Sequence, residues 1–222
     1  HGTLMSTIFP EAAADHGYSY AGWSPDLPET VTGPGTYTAQ FMINQYTMTF
    51  DSTGGSAVAP VTQNFMTQVV QPGDPTRAHF SFAGWYDSEG SPVEFPYTLT
   101  DDVTVYAKWT TNNYTMIFDS MGGTNVTPVI QNYNTQVTRP ADPTNFGFTF
   151  SGWYTGPYGS GTPVNFPYTL TGNVTVYARW TAGQYTLSFN SEGGSSVASI
   201  SGSFGSFITA AESPTKAGYT FE

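Results

Sequence analysis

The sequence predicts a mainly β chain, built as a tandem array of small repeats rather than as one large globule. Three observations lead there. The chain repeats itself: Tyr46-Thr-Met-Thr-Phe50 recurs as Tyr114-Thr-Met-Ile-Phe118 and again as Tyr185-Thr-Leu-Ser-Phe189. Within each copy, segments rich in β-branched and aromatic residues alternate apolar and polar, which is the pattern of a half-buried strand. No window carries a convincing 3.6-residue apolar period, so little or no helix is expected. A fixed period over most of a chain signals similar units stacked in series.

Two complete repeats are read at 46–113 and 114–184. A partial repeat at 1–45 precedes them and lacks its opening strand. Its Tyr18-Ser-Tyr-Ala-Gly-Trp23 matches Phe80-Ser-Phe-Ala-Gly-Trp85, and a stretch resembling a second strand spans Thr3–Phe9. Another partial repeat, 185–222, holds an opening half. A unit of this size buries only about 60% of its unfolded surface, so a dense aromatic core or neighbour contacts must help.

The elements follow in order. Tyr46, Met48 and Phe50 share one face of the opening strand, with Thr47, Thr49 and Asp51 on the other. The strand ends at paired glycines, Gly54-Gly55, matched by Gly122-Gly123 and Gly193-Gly194. These turn the chain; no helix and no Lys-Ser/Thr follows them, so they are not a phosphate loop. A second extended stretch covers roughly Val58–Val70. Pro72-Gly-Asp-Pro75 then bars both helix and central strand. The third strand is Phe80–Tyr86, with Phe80, Phe82, Gly84 and Tyr86 on one face and Ser81, Ala83 and Trp85 on the other. Gly84 is expected to mark a bulge or a close backbone approach. The loop after it is three residues longer in the second copy, as suits a surface loop. In the last strand Val103, Val105, Ala107 and Trp109 face inward, while Thr104, Tyr106 and Lys108 face outward. Each unit is thus a small sheet of four or five strands. The links Thr110–Asn113 and Thr181–Gln184 are too short to act as flexible tethers.

The ordered set Tyr-Thr-x-x-Phe-(Asp/Asn)-Ser-x-Gly-Gly, Asp-Pro-Thr, Phe-x-Gly-Trp-Tyr and Val-Thr-Val-Tyr-Ala-(Lys/Arg)-Trp resembles the Listeria–Bacteroides repeat family, which includes the B repeats of internalin B. The resemblance covers 46–181 and most of the flanking partial copies. It implies a β-grasp-like unit strung in tandem on surface proteins, with first and last strands parallel neighbours, and hence an elongated rod. The first partial copy departs from the pattern: its final aromatic is Phe41 rather than Trp, as in a variant subtype.

Composition excludes several functions. The net charge is −11 with only five Lys+Arg, so no basic stripe exists for nucleic acid or anionic lipid. Cysteine is absent, which removes disulfides and thiolate zinc sites. No run of 18 apolar residues is present, so no inserted membrane helix is expected. Ionisable residues change between copies: Glu94 becomes Asn165, Asp101-Asp102 becomes Gly172-Asn173, and His79 becomes Gly147. The repeated pattern is therefore one of packing, with no catalytic residue, no cofactor site and no metal site expected. Asp87, Glu89, Glu94 and Asp101-Asp102 read as solvated acidic loops, since calcium needs about six to eight oxygens.

The structural core is expected at Trp23, Trp85, Trp109, Trp153 and Trp180, at Tyr46, Tyr114 and Tyr185, and at Phe50, Phe118 and Phe189. Tyr86, Tyr154 and the loop residue Tyr158 are the candidate glycan contacts. Lys108 and Arg179 point outward, which argues against a buried isopeptide lysine. The expected function is a non-enzymatic extracellular stalk or adhesin segment at the cell surface, partnered by its own neighbouring repeats. Two alternatives are a filament subunit, in which the split terminal repeats of different copies complete each other, and a module binding host or cell-wall glycans.

Overall fold

In a computed structural model of the chain, residues 12–30 and 32–222 are described. The strand-like stretch Thr3–Phe9 lies outside them. Two compact units form, one ending at Asn112 and the other beginning at Asn113. Among the described residues there is no helix; the structure is strand and turn throughout. The chain is mainly β and built from tandem repeats.

The first unit opens with the hairpin β1 (Tyr18–Ser24) and β2 (Thr38–Ile43). The complete repeat follows as β3 (Gln45–Asp51), β4 (Val61–Asn64), β5 (Thr67–Val69), β6 (Phe80–Tyr86), β7 (Tyr97–Leu99) and β8 (Val103–Thr111). Its main sheet has the order β4-β3-β8-β6. The first and last strands, β3 and β8, are parallel neighbours, registered from Met48↔Val103 to Asp51↔Tyr106. The outer pairs β3–β4 and β6–β8 are antiparallel.

The second unit repeats this plan with β9 (Asn113–Asp119), β10 (Val129–Asn132), β11 (Thr135–Val137), β12 (Phe148–Tyr154), β13 (Tyr168–Leu170) and β14 (Val174–Ala182). Its sheet order is β10-β9-β14-β12, with β9 and β14 parallel. The hairpin β15 (Gln184–Leu187) and β16 (Ile200–Ser203) follows in the same unit, which runs on to Glu222.

Each complete repeat has six strands rather than four or five, because the stretch read as one extended segment at Val58–Val70 is broken. Only Val61–Asn64 and Thr67–Val69 are strand. Between them Met66 takes φ 62°, and the Thr67 hydroxyl donates to the Asn64 carbonyl at 2.6 Å. This turn carries β5 off the main sheet to pair with β7 as a separate ribbon.

The bulge expected at Gly84 is present, and it overturns the face assignment on β6. Register slips between Phe82 and Gly84, where Gly84 takes φ 122°. An extra residue in one strand reverses the alternation beyond it. Trp85 therefore joins Phe82 on the core face, their rings 5.3 Å apart, instead of lying opposite it. The same slip occurs at Gly22 and Gly152.

The core of the first repeat is Met48, Phe50, Val69, Trp85, Leu99, Val105 and Ala107. Met116, Phe118, Val137, Trp153, Leu170, Val176 and Ala178 occupy the same places in the second. Phe50 meets Trp85 edge to face at 5.0 Å, and Phe118 meets Trp153 identically. Such pairs contribute about 0.5–1.5 kcal/mol beyond their buried area.

Candidate functional site

The ionisable side chains among the described residues meet in pairs at most, such as Arg139 and Asp142 at 2.7 Å. Among the described residues, no group of three or more His, Asp or Glu could hold a metal ion. Several acidic groups instead organise backbone. Asp87 accepts from the N–H groups of Glu89 and Ser91 at 2.9 and 2.8 Å. Asp102 accepts from the Thr47 N–H at 2.7 Å, tying the loop before β8 to the start of β3. Asp101 lies 3.4 Å from the His16 ring nitrogen. Asp51, Asp119 and Asn190 each accept from the N–H two residues on, at Thr53, Met121 and Glu192. Those three residues have positive φ, as do the glycines that follow them, so each side chain steadies a tight turn.

The turn glycines have two different roles. Gly54, Gly122 and Gly193 supply φ near 90°. Gly55 and Gly123 instead give way to tryptophan: a Cβ there would fall 2.5 Å from the Trp109 ring and 2.4 Å from the Trp180 ring. Gly194 would meet backbone oxygens of Ser191 and Thr215 at 3.1 Å. The close packing at Gly55 and Gly123 holds the indoles so that Trp109 Nε1–H donates to the Ser52 carbonyl at 3.0 Å and Trp180 Nε1–H to the Ser120 carbonyl at 2.9 Å.

The expected core residues divide by position. Trp85 and Trp153 are 2% exposed and Phe50 and Phe118 are buried, while Trp23, Trp109, Trp180, Tyr46 and Tyr114 are half-buried. Tyr185 and Phe189 were expected in the core but are 53% and 41% exposed. For Phe189 the reason is that 185–222 carries no counterpart of Trp85 or Phe95, the rings that cover Phe50 in the complete repeat; Tyr185 keeps the Phe204 ring, at 6.1 Å, as Tyr46 keeps Phe65.

The candidate glycan tyrosines are largely engaged. Lys108 Nζ sits 3.7 Å from the centre of the Tyr86 ring and also donates to the Gly90 carbonyl at 3.0 Å. Arg179 lies 5.0 Å from the Tyr154 ring. A cation already on a ring face competes with a sugar for it. Tyr158 alone stands clear, at 91% exposure on a loop tip.

The most developed recurring site is the junction between repeats, which sequence reasoning missed. Within the first unit, the Gly17 carbonyl accepts from the Asn44 N–H at 2.8 Å, and the Asn44 carbonyl accepts from the Phe65 N–H at 2.8 Å. Phe65, in the β4–β5 turn, packs so closely over Gly17 that a Cβ there would fall 2.2 Å from its ring. Within the second unit Gly147, Gly183 and Phe204 repeat the arrangement, with both bonds again 2.8 Å and a Cβ at Gly147 2.4 Å from the Phe204 ring. Phe146 and Phe148 flank Phe204 at 5.5 Å. The single linker residue is thus bonded on both sides, and the neighbour's ring rests on bare backbone. The recurrence of an aromatic at 65, 133 and 204 was the available signal.

Aromatic-cored β units, repeated in order and bonded through one-residue linkers, define a tandem β-repeat protein. The Listeria-Bacteroides repeat domain matches residues 46–108, 114–179 and 185–222, and the chain belongs to that family. Over 221 residues the chain is 32% identical to a protein of Evansella cellulosilytica provisionally named a Gly-rich membrane protein; the match takes in 93% of this chain and 26% of the relative. A second Evansella cellulosilytica protein, provisionally named a membrane protein, is 35% identical across 84% of the chain and 28% of its own length. Internalin H of Listeria monocytogenes is 34% identical across 68% of the chain and 28% of its own length. The chain therefore spans about a quarter of the length of these relatives. No solved structure matches it.

Proposed function

We propose that the chain is a non-enzymatic spacer of a cell-surface protein, a stalk of repeats that holds a functional head away from the cell. The observation that carries this reading is the junction. Linker residues Asn44 and Gly183 are each hydrogen-bonded on both sides, and an aromatic ring from the following repeat closes over a glycine of the preceding one. Repeats joined in this way keep a set spacing, whereas a flexible linker would let the distance between its ends fluctuate. Among the described residues, the polar side chains that recur between copies, such as Asp51, Asp119 and Asn190 or Asp102 and Asn173, bond to backbone N–H groups, which favours a structural role over catalysis. The names of the relatives, two membrane proteins and an internalin, support a place in the cell envelope; an extracellular position for the repeats is part of this proposal.

The test is display at a bacterial surface, with an anchor fused before residue 1 and a fluorescent head after residue 222. Deleting 114–184 lowers the head by a fixed step in axial-distance imaging, and duplicating that segment raises it by the same step. A head height indifferent to repeat number would overturn the spacer reading. Glycan binding is the competing reading, resting on Tyr158; it predicts capture on glycan arrays that is lost in Tyr158→Ala.

A further inference from the structure

We infer that each complete repeat is a force-bearing unit, with the β3–β8 pair and its counterpart β9–β14 acting as a shear clamp. This deepens the spacer reading and rests on it, because tension reaches the repeat only if the chain is held at both ends. The argument begins with topology. The chain enters the repeat at Gln45, the start of β3, and leaves at Thr111, the end of β8. These strands are parallel and adjacent. Tension pulls the start of β3 and the end of β8 in opposite directions along the shared strand axis. Parallel ladders have evenly spaced, slanted bonds, so every bond between the two strands is strained at once. Antiparallel neighbours pulled from one end would instead open bond by bond.

Side chains extend the clamp past both ends of the ladder. Below the first registered pair, Met48↔Val103, Asp102 Oδ1 accepts from the Thr47 N–H at 2.7 Å. Above the last pair, Asp51↔Tyr106, Trp109 Nε1–H donates to the Ser52 carbonyl at 3.0 Å, and the Thr53 hydroxyl donates to the Ala107 carbonyl at 2.6 Å. All three bonds join the β3 side to the β8 side, so all three lie across the line of force. The second repeat keeps two of them, through Asn173 to the Thr115 N–H at 2.9 Å and Trp180 to the Ser120 carbonyl at 2.9 Å. Asp and Asn alternate at the lower position, and what they share is one amide-type or carboxylate oxygen aimed at the same backbone N–H. A charge is therefore not the requirement; the cross-strand bond is. Met121 replaces Thr53 in the second repeat, which removes the third bond. The elements between the two strands, β4 to β7, lie off the direct path and are shielded until the clamp opens.

Force spectroscopy on the whole chain tests this. The chain has no cysteine, so paired cysteine handles report only the chosen geometry. Gln45→Cys with Thr111→Cys loads β3 against β8 in shear. Gln45→Cys with Asp101→Cys places both handles at the same end, beside the Asp102–Thr47 bond, and peels the strands apart. Forced unfolding reads the unfolding barrier. The clamp predicts a rupture force several-fold higher in shear than in peeling at the same loading rate. It also predicts that Trp109→Phe, whose bond lies at the far end of the ladder from the peeling handles, lowers the shear force while leaving the peeling force unchanged, that Asp102→Ala lowers the shear force, and that Asp102→Asn retains the parent value in shear. Equal forces in the two geometries would overturn the proposal, as would a Trp109→Phe variant that lowers both forces in proportion, since that marks general destabilisation. A weak clamp alongside an intact head-height step would remove force-bearing and leave the spacer. A strong clamp with no height step would do the reverse.

Discussion

Trp153→Ala unfolds the second complete repeat, at a cost of about 3–5 kcal/mol. Trp153 is 2% exposed, with the Phe118 ring at 5.0 Å and Phe150 at 5.4 Å. A buried Trp removes roughly 150–250 Å² from water, which at about 25 cal/mol per Å² is a gross gain of some 4–6 kcal/mol before conformational entropy opposes it. Among the described residues its indole N–H has no hydrogen-bond partner, and the same holds for Trp85. What the residue supplies is therefore packed area rather than a bond. A repeat of this size has little stability to spare. Urea unfolding followed by NMR should show the second repeat melting early while the first, with its own Trp85 core, is unaffected. A melting profile identical to the parent's would mean that Trp153 does not pack as described.

Gly123→Ala destabilises the same repeat by about 1–3 kcal/mol, the usual cost of overpacking. The new methyl would lie 2.4 Å from one atom of the Trp180 ring and 3.0 Å from the Thr144 carbonyl oxygen. The ring cannot retreat cheaply, because its N–H is bonded to the Ser120 carbonyl and its face meets Phe150 at 5.3 Å. Gly172→Ala is the control: nothing lies within 4 Å of a Cβ there. Thermal melts that rank the two substitutions equally would show that the glycine serves only the turn.

Much of this architecture was legible in the sequence because one sheet face is buried and the other is not. Alternation placed Met48, Phe50, Val105 and Ala107 inward, and the internal repeat fixed their counterparts. Three features escaped for separate physical reasons. The phase of Trp85 was lost because a bulge is a matter of register, and Gly84 announces a bulge without saying how the strand resumes. The β5–β7 ribbon escaped because three residues are too few to show a period. Asp102 was set aside because copy two has Asn173, yet both side chains accept the same backbone N–H; comparing charges between copies hid a shared bond. The cations over Tyr86 and Tyr154 were readable in principle, since Lys108 and Arg179 hold equivalent places next to those rings. Tyr185 and Phe189 match core residues of the complete repeats in sequence, but burial depends on partners elsewhere in the unit, and 185–222 holds no counterpart of the Trp85 and Phe95 rings that cover Phe50.

The central claim, a chain whose repeats serve as a spacer, is tested most directly by sedimentation velocity on residues 1–222 over a wide concentration range. The account predicts one slow species with a high frictional ratio at every concentration. Growth into long, fast-sedimenting polymers would contradict it and show that the terminal partial repeats of different copies complete one another.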